Sequence, residues 1–196
     1  LVATSWDVLS GQVRPEGRIL VYDDHGDERG LAVVELLATE SLDRRVAGLE
    51  LVTPDRHVGL DLATPLGPAY LRMLYASGVV MISDHRLIRV EPVEGDCSAL
   101  RAVLRNEYTG NKVAHEVDAV VTEHGVVPDE GLFLTMCDGS ANGGVVDLEA
   151  LVGGHPQPAF ADIEEGGHLL YRVGDCVASR DVASALLDAR RLLQHL

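Results

Sequence analysis

One stretch restricts the fold of this chain more than any other, namely a strand, a short polar turn and a helix near its start. A β-branched run over 18–23 leads into the turn, and a stretch with helical periodicity follows over 30–40. A second apolar strand is expected over 49–53, where Pro54 closes it. Parallel strands require a crossover of this kind, so the pattern predicts a βαβ unit and a parallel sheet.

The remaining segments extend this prediction along the chain. A helix over 68–77, stopped by Gly78, precedes a third strand over 79–82. Short β-runs then indicate a small antiparallel meander, with a hairpin turn at 109–112; these runs cover 87–91, 100–106, 112–116 and 118–122. Residues 137–168 are loop-like, with one helical turn near 148–152, before a strand over 169–173 and a helix over 182–193. The predicted fold class is α/β, with a Rossmann-like parallel sheet, an antiparallel β-meander and a C-terminal strand–helix pair.

Charge and cysteine content exclude several classes of function. The 196 residues include 31 Asp and Glu but only 16 Lys and Arg, for a net charge of −15. Such a surface repels phosphate backbones and anionic lipid, so we expect no nucleic-acid or membrane partner. No apolar run approaches the roughly 20 residues of a membrane span and no signal-peptide pattern opens the chain, so a cytoplasmic location is expected. The cysteines at 97, 137 and 176 lack iron–sulfur or zinc spacing.

The turn after the first strand departs from the dinucleotide-binding pattern G-x-G-x-x-G. Gly30 occupies the third glycine position and is a candidate cofactor-binding residue, but His25 and Asp27 replace the first two glycines. The carboxylates of this turn would repel the pyrophosphate of a coenzyme, since like charges ~4 Å apart repel by about 4 kcal/mol at an effective dielectric near 20. The helix dipole would offset only roughly 0.3–1 kcal/mol of this repulsion. We therefore expect no NAD(P)H here in the usual pose. The alternatives are capping of the helix by Asp27 or Glu28 and a divalent metal in the acidic turn.

Other candidate positions carry less information. Asp55 and Arg56 follow the second strand, where an acid or an arginine would recognise the ribose of NAD or NADP, but a surface turn also explains them. Gly174 and Asp175 are the better binding candidates, because a glycine at a strand end lets a ligand approach and the aspartate can accept a hydroxyl proton. Capping of the last helix by Asp175 or Ser179 is the alternative. No catalytic residues and no metal ligands are predicted, since the histidines are scattered and no nucleophile elbow or phosphate-binding loop is present.

Two segments give a family resemblance. "VDAVVTEHGVVPDEGL", at 117–132, resembles the strand and turn that close the NAD(P)H domain of flavoproteins with two dinucleotide domains. "LLYRVGDCVASRDVASALLDARRL", at 169–192, resembles their late strand–Gly-Asp–helix element, whose aspartate meets the flavin's ribityl or pyrophosphate region. The chain is most similar to the C-terminal part of the multidomain NADH:flavin oxidoreductases of the old yellow enzyme class. These include 2,4-dienoyl-CoA reductase, trimethylamine and dimethylamine dehydrogenases and N-methylproline demethylase-like enzymes.

The resemblance implies a division of the chain and a set of cofactors located elsewhere. Residues 1–17 would be a linker and helix from a truncated FAD-like domain, with no strand before the amphipathic stretch at 3–12. Residues 18–136 would be a degenerate NAD(P)-binding-like domain. Residues 137–168 would be a connection, and 169–196 a returning FAD-like strand and helix. In that class an N-terminal barrel carries FMN, an iron–sulfur cluster and the substrate site, and FAD or ADP binds in the C-terminal part. We interpret the chain as a piece of such a protein, with the barrel of the same parent chain as its partner.

The sequence thus predicts a nucleotide-binding-like domain of a flavin-dependent oxidoreductase acting on a small amine or an enoyl substrate. The piece itself is expected to be inactive and, when isolated, to carry no cofactor. A homo-oligomer is possible. The alternative is a non-catalytic scaffold or subunit-interaction domain that binds no nucleotide.

Overall fold

The computed structural model describes residues 1–40, 45–62, 66–158 and 167–193. The chain forms two compact units, Leu1–Gly125 and Val126–Leu196. The first unit contains both sheets, and the second contains helices and loops.

The first unit alternates strands and helices before a run of three strands. Its elements are β1 (Val2–Thr4), α1 (Ser5–Leu9), β2 (Gly17–Asp23), α2 (Glu28–Glu40), β3 (Val46–Val52), α3 (Gly67–Ala76), β4 (Val80–Ile82), β5 (His85–Val93), β6 (Asp96–Asn106), β7 (Lys112–Val117) and β8 (Ala119–Glu123). Five of the strands form a parallel sheet in the order β1-β8-β2-β3-β4, and β5-β6-β7 form an antiparallel sheet. The predicted α/β class is confirmed.

The parallel sheet is covered on both faces, because side chains alternate along each strand. Ile19 and Val21 of β2 point to the helical face, where Leu31, Val34 and Leu37 of α2 pack on them. The intervening residues of β2 face the antiparallel sheet, in a second core made by Leu20, Tyr22, Val52, Val120, Ala102, Leu104 and Val117. The continuous burial of β2 from Ile19 to Asp23 follows from this three-layer arrangement.

The described residues of the second unit form little core. Its helices are α4 (Gly131–Cys137), α5 (Leu148–Gly153) and α6 (Val182–Leu193), with a 3-10 turn at Gly174–Cys176. Among its described residues only Asn142, Gly174 and Leu192 are buried. Many large apolar side chains are exposed instead, including those of Val127, Leu132, Leu148, Val152, Val182 and Leu186. This surface is unusual for a self-contained domain.

Four local predictions were wrong. We expected no strand before 18–23, yet β1 pairs with β8 at Val2↔Val120. The run at 118–122 belongs to the parallel sheet as β8, not to the meander, because it pairs with β2. Helix α4 begins within 117–132, where the resemblance implied a strand and a turn. Periodicity cannot assign a strand to a sheet, since pairing is a long-range contact.

The fourth error concerns 169–173, which is not a strand. Within the described ranges, the only ladder contact nearby is a single parallel bridge, Ser140↔His168. A β-branched, aromatic sequence favours an extended chain, but a strand also needs a hydrogen-bonded neighbour. The last helix, by contrast, matches its predicted bounds, 182–193. The connection predicted over 137–168 includes 159–166, which lie outside the described residues.

Candidate functional site at the carboxyl edge of the parallel sheet

The turn between β2 and α2 is organised by the carboxylate of Asp23. Its side chain is buried, with 2% of the residue exposed. The backbone N–H groups of His25 and Gly26 donate to its Oδ1 at 3.0 and 2.9 Å. Burial raises the pKa of Asp23 to about 6; the two amide hydrogen bonds oppose that shift, and the charges of Asp27 and Glu123 add to it. These two amides of the turn are therefore satisfied from within the chain.

Asp27 occupies the start of α2, where a dinucleotide fold places its pyrophosphate. Its Oδ1 accepts the backbone N–H of Arg29 at 2.9 Å, so the predicted capping role is confirmed for Asp27. The Arg29 guanidinium lies 2.6 Å from Asp27 Oδ2, and His25 Nε2 lies 3.4 Å from the same oxygen. The repulsion expected from the sequence counted Asp27 as a negative charge, and the ion pair with Arg29 offsets that charge.

A second buried carboxylate lies at the end of the neighbouring strand. Glu123 of β8 is 1% exposed and pairs in register with Asp23 of β2. It accepts hydrogen bonds from the Ser5 hydroxyl at one oxygen and from the Gly125 N–H, at 2.7 Å, at the other. Sequence reasoning missed this residue. The signal was available: an acid directly after a β-branched run, as Asp23 is after its own strand.

A histidine–aspartate contact lies beside this pair. His124 Nδ1 is 3.0 Å from both carboxylate oxygens of Asp24, and the His124 ring meets Tyr22 edge-on with centroids 5.6 Å apart. The Tyr22 hydroxyl is buried and makes no hydrogen bond of normal geometry with the described residues. Burial, followed by the charge of Asp24, raises the pKa of this phenol to about 12. The phenol therefore stays protonated at neutral pH.

The two candidate residues after the second strand, Asp55 and Arg56, have different surroundings. Asp55 lies against the turn, because a Cβ placed on Gly26 would be 3.1 Å from Asp55 Oδ2. Burial raises the pKa of Asp55, and the charge of Asp61 adds to this effect. Arg56 is exposed. Of the two candidates, Asp55 is the one that lies against the turn.

Gly30 contacts β2 closely. A Cβ on this residue would lie 2.4 Å from Asp23 Oδ2, so no side chain fits without displacing that carboxylate. This matches the third glycine of the dinucleotide pattern, which permits close packing of helix on strand. The structure gives Gly30 a packing role in the first unit.

Gly174 and Asp175 lie in the second unit. Gly174 is buried with φ 61°, a left-handed conformation that favours glycine, and a Cβ there would be 2.9 Å from the Ala185 Cβ of α6. Asp175 is exposed in the first turn of the 3-10 segment. Its carboxylate accepts no hydrogen bond from the described residues. It is thus available to a ligand, whereas Gly174 is used in packing.

A cavity of about 590 Å³ also lies within the second unit. Its apolar lining includes Leu148, Leu151, Val177 and Leu192. Of the charged groups that line it, Arg180 is ion-paired with Asp188. Another charged lining residue, Arg172, pairs with Glu130 and lies 4.8 Å over the Phe133 ring.

The described residues hold no group of three or more His, Cys, Asp and Glu side chains suited to a metal ion. Cys137 and Cys176 are free thiols. With three widely spaced cysteines in the sequence, this chain does not fit an iron–sulfur cluster. Within the described ranges, no helix is both long and apolar enough to span a bilayer.

Comparison with known proteins bears on the resemblance. The chain is 42% identical over 98% of its length to N,N-dimethylglycine/sarcosine dehydrogenase of Chromohalobacter salexigens. It is 33% identical, over its whole length, to a probable N-methylproline demethylase of Rhizobium meliloti, and 33% identical over 95% to the multifunctional alkene reductase/demethylase OYE of Caballeronia cordobensis. The resemblance to the old yellow enzyme class is confirmed. The chain spans only 27–28% of the length of these relatives.

Solved structures agree at the level of the fold. Histamine dehydrogenase from Rhizobium sp. 4-9 matches 97% of the chain at 22% identity with a TM-score of 0.64, and the match covers 25% of that protein. Thioredoxin reductase of T. acidophilum matches 97% of the chain at 15% identity with a TM-score of 0.58, over 54% of that protein. No protein-family model matches the chain. The chain therefore shares its fold with regions of these longer proteins.

Proposed function

We propose that this chain is the C-terminal nucleotide-binding-like region of a flavin-dependent NADH:flavin oxidoreductase and is not catalytic by itself. The parent would oxidise or demethylate a small amine, or reduce an enoyl substrate, with FMN and an iron–sulfur cluster outside this chain. Support comes from the relatives, whose names specify dehydrogenation or demethylation of N-methylated amino acids and alkene reduction. The scattered cysteines and the sparse core of the second unit support a reacting centre elsewhere.

One observation carries this proposal, namely the half-paired state of 169–173. The Asn142 amide donates to the Leu170 carbonyl at 2.8 Å and accepts the Leu170 N–H at 2.9 Å, as a neighbouring strand would. In an extended chain the backbone groups of Leu169, Tyr171 and Val173 would face the edge opposite to those of Leu170, and they find no partner among the described residues. An unpaired row of amides and carbonyls is a site for strand addition. We propose that a strand of the parent's FAD-like domain pairs there.

The exposed apolar side chains of the second unit support the same proposal. Apolar side chains form much of the lining of the 590 Å³ cavity, and two of the arginines that also line it, Arg172 and Arg180, are ion-paired. Covering apolar surface is favourable by about 25 cal/mol per Å², so an additional layer would stabilise this unit substantially. The rest of the parent chain, including the N-terminal barrel, is the proposed cover. A second copy of the chain is the other possible cover.

Asp175 is the residue through which this region would bind FAD or ADP in the parent. Its exposed carboxylate can accept a hydrogen bond from a ribityl or ribose hydroxyl. Gly174 would hold the turn in the left-handed conformation that presents it. Gly30 is the weaker cofactor-binding candidate, because its position packs closely on Asp23. The free thiols of Cys137 and Cys176 support a reducing, cytoplasmic location, which is part of the proposal.

The test is made on the full-length parent protein. Asp175→Ala should lower the content of bound FAD or ADP in the purified parent, while Asp138→Ala, an exposed aspartate in the same unit, should leave it unchanged. The parent should also contain FMN that N-methylated amino acids reduce. A parent without flavin would refute the proposed function. So would a flavin that amines do not reduce and that, once reduced, enoyl compounds do not oxidise.

A scaffold function is the second candidate, favoured by the internal satisfaction of the turn amides by Asp23 and Asp27. Thermal-shift titration of this chain with ADP, FAD and NADH separates the two. Stabilisation follows RT ln(1 + [L]/Kd), so a ligand with a Kd well below the added concentration raises the melting temperature. No shift at millimolar nucleotide, with unaltered nucleotide content in the parent Asp175→Ala variant, supports the scaffold.

A further inference from the structure

The crevice where this fold would accept a ligand lies between β2 and β8. In open parallel sheets, ligands bind beyond the carboxyl ends of the strands at the point where the strand order reverses. In the order β1-β8-β2-β3-β4, the chain passes from β2 to β3 and β4 on one side, and β8 lies on the other. The carboxyl ends of β2 and β8 meet at Asp23↔Glu123, so the reversal point lies there.

The backbone at this point is covered by His25. Gly125 follows β8 with φ 70°, a left-handed conformation that favours glycine, and the absence of a Cβ would let a ligand approach the backbone closely. A Cβ on Gly125 would nevertheless lie 2.8 Å from His25 Nδ1 and 3.1 Å from its Cε1, so the imidazole already fills this space. The Gly125 N–H donates to Glu123 and is not available to a ligand.

The same imidazole reaches toward the start of α2. His25 Nε2 lies 3.4 Å from Asp27 Oδ2, and that oxygen is bound by the Arg29 guanidinium. A continuous row of His25, Asp27 and Arg29 side chains thus runs from the end of β8 to the first turn of α2. All three side chains are at most about one third exposed. We name this row the crevice plug.

We infer that the crevice plug, together with the Asp23 carboxylate beneath it, closes the dinucleotide site of this fold from within. Exclusion acts by occupancy rather than by net repulsion, because Arg29 neutralises Asp27. Carboxylate oxygens take the amide hydrogen bonds that a pyrophosphate would otherwise accept, and the imidazole takes the space over Gly125. A dinucleotide would have to displace all of these contacts. This closure involves the first unit alone and is independent of the proposed function.

The test restores the two glycines that the dinucleotide pattern specifies. NADH binding to the 196-residue chain is measured by NADH fluorescence and by thermal shift, for wild type and for the variant His25→Gly/Asp27→Gly. Wild type should show no saturable binding up to millimolar NADH. The variant should bind NADH with a Kd at least tenfold below the highest concentration at which wild type shows no binding. The charge-matched control Glu94→Gln, at an exposed position in the turn between β5 and β6, should behave as wild type.

Circular dichroism establishes that the variant is folded. A folded His25→Gly/Asp27→Gly variant that does not bind NADH overturns the inference, as does saturable binding by wild type. If the double variant does not fold, amide hydrogen exchange of wild type decides. The N–H groups of His25, Gly26 and Arg29 should be protected and should not change on addition of NADH. Fast exchange of these amides overturns the inference.

Discussion

Replacement of Asp23 by asparagine tests the central carboxylate of the turn. The folded-state pKa of Asp23 is about 6, against an ordinary value of 3.8, because the side chain is buried. Since the folded pKa is the higher one, the stability that the protonated acid contributes is fully present below about pH 3.8. It is lost as the pH rises through about 6. This difference of about two between the folded-state pKa and the ordinary pKa corresponds to a stability change of about 3 kcal/mol, at roughly 1.4 kcal/mol per pKa unit.

The asparagine side chain carries no charge at any pH and keeps an oxygen that can accept the amides of His25 and Gly26. Asp23→Asn should therefore reduce the fall in the free energy of unfolding between about pH 4 and pH 7, by ~1–3 kcal/mol after allowance for its unpaired amide hydrogens. Urea unfolding at several pH values measures this free energy. The fluorescence of Trp6, the only tryptophan in the sequence, reports the first unit.

The matched control is Glu16→Gln, which removes an exposed carboxylate of the same unit. Its pH profile should parallel that of wild type. If the Asp23→Asn profile also runs parallel to wild type over this pH range, Asp23 does not titrate with a raised pKa, and the reasoning from burial is refuted.

Three further substitutions test packing and capping. Gly30→Ala should destabilise the first unit by about 1–3 kcal/mol, although alanine favours a helix, because its Cβ would lie 2.4 Å from Asp23 Oδ2; urea unfolding measures this change. Gly174→Ala should lower the melting temperature more than Gly143→Ala. Both glycines have positive φ, but only at Gly174 would an added Cβ meet a neighbour, the Ala185 Cβ at 2.9 Å. Thr4→Ala removes the capping box of α1 and should cost about 1 kcal/mol in the same unfolding assay.

The control for the first of these is Gly67→Ala, at the start of α3, where a Cβ meets nothing within 4 Å. It should be neutral or stabilising by up to about 1 kcal/mol. Equal effects of Gly30→Ala and Gly67→Ala would contradict the contact with Asp23. Equal melting temperatures for the Gly174 and Gly143 variants would assign the whole effect to backbone strain. Unchanged stability of Thr4→Ala would show that the capping box contributes nothing to α1.

Local patterns were sufficient for most elements of the first unit. The alternation of apolar residues and the βαβ spacing predicted β2, α2 and β3 to within a few residues, because burial on one face imposes its period on the sequence. Short motifs at 117–132 and 169–192 were sufficient to give the resemblance, and the relatives confirm it. The predicted domain boundaries and the binding roles of Gly30, Gly174 and Asp175 remain predictions.

The sequence by itself determined the α/β class, the acidic surface and the lack of glycine at two positions of the turn, since each depends on residue type and local order. Tertiary structure decided what the acidic turn does. The burial of Asp23 beside Glu123 and the placement of His25 over Gly125 require strands β2 and β8 to be neighbours. These strands are about one hundred residues apart in the chain, and no local periodicity encodes such a contact.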